Sequence, residues 1–146
     1  MKAEDWRPIK GFEGLYEVSN TGKVRSLDRI VKDKNGKRAR KFKGRELKDV
    51  CANTGYHHVS LHKNSGRDVR RQVQTLVAEA FLSESWFEGA QVDHVDGIRD
   101  NNHVSNLRWV TPAQNNLNTP YTRYLRGLLI QNNIEYLDIE DFYNEY

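Results

Sequence analysis

Hydrophobic and polar positions change their period several times along the chain, and each change marks an element. Residues 6–27, "WRPIKGFEGLYEVSNTGKVRSL", hold Tyr16 and Val18, then Val24 and Ser26, in alternation around Asn20-Thr21-Gly22. Period two around a turn signal predicts a hairpin. Residues 28–45 are basic, with Asn35-Gly36 as the expected tip of a second hairpin. Two more strands follow, "GYHHVSLHK" and "RDVRRQV", joined by Asn64-Ser65-Gly66. In the first, Val59 and Leu61 point one way and His58, Ser60 and His62 the other.

At "QVQTLVAEAFL", residues 72–82, the period lengthens. Val73, Leu76, Val77, Ala80 and Phe81 fall at i, i+3, i+4, i+7 and i+8, the stripe of an amphipathic helix. Its apolar face is expected to join the strands on its N-terminal side to the unit on its C-terminal side. "AQVDHVDG" and "NLRWVT" then predict two short strands, with Leu107 and Trp109 on one face. Thr111 as N-cap, Pro112 at N1 and Gln114 at N3 form a capping-box pattern, so a helix starts at Pro112 and Asn115 closes its first turn. Trp6 and Trp109 are expected in the core. The apolar residues come in clusters, which predicts several small cores rather than one. The whole reads as an α+β chain: a small β-rich, basic module over 1–70, a linking helix and strand–strand–helix unit over 71–118, and an acidic, partly helical tail over 119–146.

Charge sharpens this division. Residues 1–73 carry 19 Lys/Arg against 9 Asp/Glu, and residues 74–146 carry 4 against 11. A polyanion is drawn to the first half, where Arg25, Arg38, Arg40, Lys41, Lys43, Arg70 and Arg71 are candidate phosphate contacts. The acidic second half must bring something other than attraction to a polyanion, such as a cation site. Cys51 is the single cysteine, which excludes a disulfide framework within the chain and a zinc site of paired cysteines. No apolar run approaches the roughly 18 residues of a membrane helix, and the N-terminus shows no signal pattern. A soluble protein kept in the cytoplasm is expected, with no membrane partner.

Residues 91–118 crowd carboxylates, imidazoles and amides together. Phosphodiester hydrolysis needs such a set: a hard divalent cation to offset developing charge, a base for the attacking water, and a group to orient that base. Mg²⁺ takes oxygen ligands and keeps several waters, so a carboxylate and an amide oxygen suffice, and Mn²⁺ shares those ligand types. Histidine ordinarily titrates near neutrality and suits the base. Asp93, His94, Asn106 and Asn115 are the candidates. Neighbouring strand residues face opposite sides, so Asp93 and His94 share a site only if the strand ends or twists there; "DGIRDNN" offers the turn. Asp96-Gly97 reads as a turn, Asp100, Asn101 and Asn102 as loop formers, and His103 as a reserve base.

"VDHVDG", "NN", "NLRWVT" and the second "NN" resemble the HNH nuclease motif, the ββα-metal finger, in the form found in phage and group I intron homing endonucleases. Residues 6–27, a "W..I.G.EG.Y.VSN.G.VRSL" pattern, resemble the NUMOD-type module that often precedes such nucleases, and "LVAEAF" resembles the usual join. The resemblance implies His94 as general base, Asn106 bracing it, and Asp93 and Asn115 as ligands of Mg²⁺, with Asn116 the alternative if the helix register slips by one. It also implies a finger clamped on the minor groove of double-stranded DNA, 5′-phosphate and 3′-hydroxyl ends, and a monomer or weak homodimer acting in a bacterial or phage-infected cell. The chain departs at Gln74-Thr75, where many relatives carry His-Arg. The alternatives are a DNA-binding regulator that does not cleave and a packaging or restriction nuclease with relaxed sequence choice.

Overall fold

A computed structural model describes residues 4–33, 35–63 and 68–132. The Asn64-Ser65-Gly66 turn and the acidic end of the tail lie outside the described residues. Four small antiparallel sheets and three helices form the described part of the chain. Strands β1 (Trp6–Pro8), β2 (Tyr16–Ser19) and β3 (Val24–Ser26) make the first sheet, in that order. The β2–β3 pairing sets Tyr16 opposite Ser26 and Val18 opposite Val24, the hairpin that the alternation predicts. Its turn needs Gly22, which has φ +91° and lies so close to Asn102 that an added Cβ would sit 2.7 Å from that residue's Cβ. A side chain there would be strained by its backbone and displaced by its neighbour.

Strands β4 (Arg29–Lys32) and β5 (Ala39–Phe42) form a separate ribbon with Gly36 at its tip. Every residue of β5 is exposed. Strands β6 (Val50–Cys51), β7 (His57–Leu61) and β8 (Val69–Gln72) make the third sheet. In β7, Val59 and Leu61 are buried while Ser60, and His62 just beyond the strand, are exposed.

Helix α1 (Val73–Phe81) continues directly from β8 and buries Val73, Leu76 and Val77. That face meets Ile9, Phe12, Tyr16, Val18 and Val24 of the first sheet region, Val59 and Leu61 of β7, and Leu107 of the last sheet in one contiguous cluster. This overturns the expectation of separate small cores. One apolar stripe on α1 is presented to both halves of the chain, so their hydrophobic surfaces merge around it. The tryptophans also differ from expectation. Trp6 is half-buried under the Arg25 guanidinium, 4.1 Å from its ring centroid, and half-buried Trp109 donates Nε1–H to the Leu82 carbonyl. An indole carries a polar N–H and suits the rim of a core better than its centre.

Strands β9 (Gln91–His94) and β10 (Leu107–Val110) pair antiparallel, with Leu107 opposite His94 and Arg108 opposite Asp93. Helix α2 (Pro112–Leu117) opens with both halves of the Thr111–Gln114 capping box in place. Thr111→Ala is expected to cost about 1 kcal/mol, read as a lower denaturant midpoint with an unchanged slope. Helix α3 (Pro120–Gln131) comes after Asn118 and Thr119, and Thr119 and Thr122 form a second capping box. Among the described residues no helix is long and apolar enough to cross a membrane.

Candidate active site

The β9–β10 hairpin, the loop between its strands and helix α2 enclose a cleft of about 290 Å³. Asp93, His94 and Asn115 all line it. Asp93 and His94 share it because β9 ends at His94, where the His94 carbonyl accepts the Gly97 amide at 2.7 Å and the chain turns away. Gly97, with φ +71°, underlies Arg123 of α3; a Cβ there would lie 2.3 Å from the guanidinium.

Asp93 is 5% exposed. Arg108, its cross-strand partner, donates Nε–H to Oδ2 at 3.0 Å. Asn118 donates Nδ2–H to Oδ1 at 2.9 Å, to Oδ2 at 3.1 Å and to the His94 carbonyl at 2.8 Å. Asn115 donates instead to the Gln91 side chain at 2.9 Å. Positions i and i+3 share a helix face, so the end of α2 presents two amides to the cleft. Sequence reasoning selected Asn115 and missed Asn118. The available signal was that spacing, with Asn118 as the C-cap of a six-residue helix.

His94 is 4% exposed. Its Nε2 lies 3.2 Å from Asn102 Oδ1. An amide oxygen only accepts, so Nε2 carries the proton and a neutral ring keeps its lone pair on Nδ1. Among the described residues none hydrogen-bonds Nδ1. The Tyr56 ring lies 6.0 Å from the imidazole, tilted by 35°.

The expectation that Asn106 braces His94 is corrected in its detail: the imidazole meets Asn102, and Asn106 holds the loop. Asn106 Oδ1 accepts the Asp96 amide at 3.0 Å, while Nδ2 donates to Asp96 Oδ1 and to the Asn101 carbonyl, both at 2.9 Å. Its own carbonyl accepts the Val95 amide. A buried amide at the start of β10 thus pins the segment after His94. Burial opposes ionisation of Asp96, but hydrogen bonds from Asn101, the Ile98 amide and Asn106, with His94 nearby, outweigh it. Its carboxyl is held below the ordinary aspartate value of 3.8. That stabilisation is present above the ordinary value and is lost as pH falls through the lower folded value. Asn106→Ala is expected to cost about 1–3 kcal/mol at neutral pH, since it removes three hydrogen bonds from the loop, one of them to the Asp96 carboxylate. The gap to wild type should shrink as acid protonates Asp96, and urea titrations at neutral and acidic pH check both.

The loop is also tied to the β-rich half. His57 lies between two carboxylates, Asp49 Oδ2 at 2.6 Å and Asp100 Oδ1 at 2.7 Å. Arg99 donates to the Thr54 carbonyl at 2.5 Å, and the Val104 amide to the Asn20 carbonyl at 2.9 Å. His103, the reserve base, is occupied with Ser105. The basic residues divide into two groups. Arg25 is committed to Glu17 through two contacts of 2.8 and 2.6 Å, and Arg71 to both oxygens of Glu79. Arg38, Arg40, Lys41, Lys43 and Arg70 are exposed.

The donor set suits a hard cation. Asp93 gives a carboxylate at the cleft wall and Asn115 a side-chain amide that lines the same cleft, oxygen-bearing groups of the kind Mg²⁺ takes alongside retained waters, while Asn118 turns Nδ2–H toward Asp93 and its oxygen toward Arg123. Among the described residues no group of three or more His, Cys, Asp or Glu could form a closed metal cage.

Residues 4–62 match the NUMOD4 motif, and residues 71–117 match the HNH endonuclease family. The DNA endonuclease I-HmuI of Bacillus phage SP01 is 42% identical over 111 residues, covering 76% of this chain and 55% of that protein. An uncharacterized HNH endonuclease of Acanthamoeba polyphaga mimivirus is 35% identical over 124 residues, 84% of this chain and 32% of its own length. The chain therefore spans about half or less of these relatives. The solved structure described as DNA binding and cleavage by the HNH homing endonuclease I-HmuI superposes with a TM-score of 0.63 at 38% identity, covering 88% of this chain and 68% of that one. The same two segments that build the β-rich half and the polar cleft thus carry the family's motifs in order, and the chain belongs to the HNH endonucleases.

Proposed function

We propose that this protein is a metal-dependent DNA endonuclease of the homing type, cutting phosphodiester bonds to leave 5′-phosphate and 3′-hydroxyl ends. The observation that carries the reading is the pairing, in one cleft, of a carboxylate fixed by two partners with an imidazole whose Nδ1 is left as an acceptor. Asp93 and Asn115 are the residues that would hold Mg²⁺ or Mn²⁺, with Asn118 keeping Asp93 in place. When bound, the ion would offset charge on the phosphate and on the leaving 3′ oxygen. His94 takes the proton of the attacking water on Nδ1. Asn102 fixes the tautomer through Nε2, and Asn106 holds the loop that carries Asn102.

The exposed β4–β5 ribbon supplies Arg38, Arg40 and Lys41, and Lys43 comes just after it. A two-stranded ribbon fits the major groove, and cations along it neutralise phosphates. Arg70 adds a separate exposed cation. Arg25 and Arg71 serve the fold through Glu17 and Glu79 before they serve DNA.

Supercoiled plasmid incubated with Mg²⁺, with Mn²⁺ and with EDTA tests the reading. Open-circle or linear product in the metal lanes alone is expected, and their ratio separates nicking from double-strand cutting. Binding without cutting in either metal, on plasmid and on DNA from the native locus, transfers the assignment to a non-cleaving regulator.

A further inference from the structure

A second cavity, of about 750 Å³, lies outside the catalytic cleft, between the β4–β5 ribbon and the third sheet. Arg29, the first residue of β4, is unusual there. Its Nε and Nη1 are buried and have no hydrogen-bond partner. Its guanidinium carbon lies 5.7 Å from the Tyr16 ring centroid and 5.8 Å from that of Phe42, so aromatic faces hold it without satisfying its donors. Arg7, Arg25 and Arg71 in the same half each pair with a carboxylate. Among the described residues Arg29 pairs with none.

A cation with unmet donors, part-shielded from water, is costly. An anion held in the cavity would offset the positive charge of the guanidinium as a whole, Nε and Nη1 themselves being covered. The lining favours one: Lys43, Arg45 and Lys48 join Arg29 against the single carboxylate of Glu46. The space exceeds what one carboxylate side chain would fill, and several cations around a planar guanidinium suit the spread oxygens of a phosphate group.

We propose that this cavity is a phosphate-binding pocket with Arg29 as its floor, seating a phosphodiester of bound duplex away from the scissile bond. The pocket rests on the DNA-binding part of the proposed function and not on cleavage. Its consequence is a fixed point on the backbone that sets where the catalytic cleft falls.

The test is equilibrium binding of a fluorescent duplex in EDTA, across salt, for wild type, Arg29→Met and Arg45→Met, with thermal midpoints recorded. Loss of one phosphate contact should lower the slope of log affinity against log salt by about 0.9, with affinity down about tenfold. Arg45→Met, on the exposed rim, carries the same reading if Arg29→Met does not fold. A parallel arm adds inorganic phosphate alone. A slope change in the variants, with no thermal shift from inorganic phosphate, supports the backbone as source. A phosphate-induced thermal rise in wild type, absent in Arg29→Met and with the slope unchanged, keeps a phosphate site but overturns the DNA seat. No change in slope, affinity or phosphate response in either variant overturns the pocket. Because EDTA silences cleavage, a protein that never cuts plasmid but shows the slope change loses only the nuclease reading.

Discussion

His94→Ala is expected to lower plasmid cleavage in Mg²⁺ by about 10²–10⁴-fold, the range for loss of a positioned general base, while duplex affinity in EDTA stays within about twofold. The expectation rests on what the imidazole touches. Nε2 is committed to Asn102 and the ring is 4% exposed, so the acceptor at Nδ1 is the ring's free chemical function. Its removal leaves the Asn102 oxygen short of a donor and a small void beside Tyr56, a loss of about 1–3 kcal/mol. Circular dichroism should therefore show an intact fold with a somewhat lower melting point. Cleavage by the variant within about tenfold of wild type would move the base to another group. Lost DNA binding would instead make His94 part of the binding surface.

Much of this arrangement is legible in the order of the residues. The Thr111-Pro112-x-Gln114 pattern specifies its helix through local hydrogen bonds alone, and the α1 stripe is a matter of period. The distinctions that fail are those that depend on distant partners. Arg25 and Arg71 look like phosphate contacts until Glu17 and Glu79, each eight residues away, are brought beside them by a hairpin and by the β8–α1 junction. Asn102 looks like one polar loop residue among several. Its role depends on Gly22, eighty positions earlier, whose bare backbone lets the loop close onto the β-rich half. Asn118 is hidden by the shortness of α2: its i+3 spacing from Asn115 points to it only once the helix is known to end there, with Asn118 as the C-cap. Arg29 is hidden for a related reason. Nothing in a run of twelve basic residues between Lys23 and Lys48 tells which one will lie against two rings.

The cation site depends most on Asp93, and Asp93→Asn isolates its charge better than alanine. The amide keeps an oxygen that can accept from Arg108 and Asn118, so the clamp at the end of β9 is preserved in outline. What is lost is the negative charge that a hard cation requires. Cleavage is expected to fall by about 10³-fold, corresponding to the several kcal/mol that a bound ion contributes to charge stabilisation in the transition state. Two further readings separate this from misfolding. Wild type should melt higher with rising Mg²⁺, because an ion that binds only the folded state stabilises it by mass action, and Asp93→Asn should show no such rise. Duplex affinity in EDTA should hold or increase, since a carboxylate facing the phosphate backbone has been neutralised. A variant that keeps both the Mg²⁺-dependent melting shift and cleavage near wild type would place the ion elsewhere. In that case Asp93 would be the structural partner of Arg108, and the amides at the end of α2 would have to meet the phosphate directly.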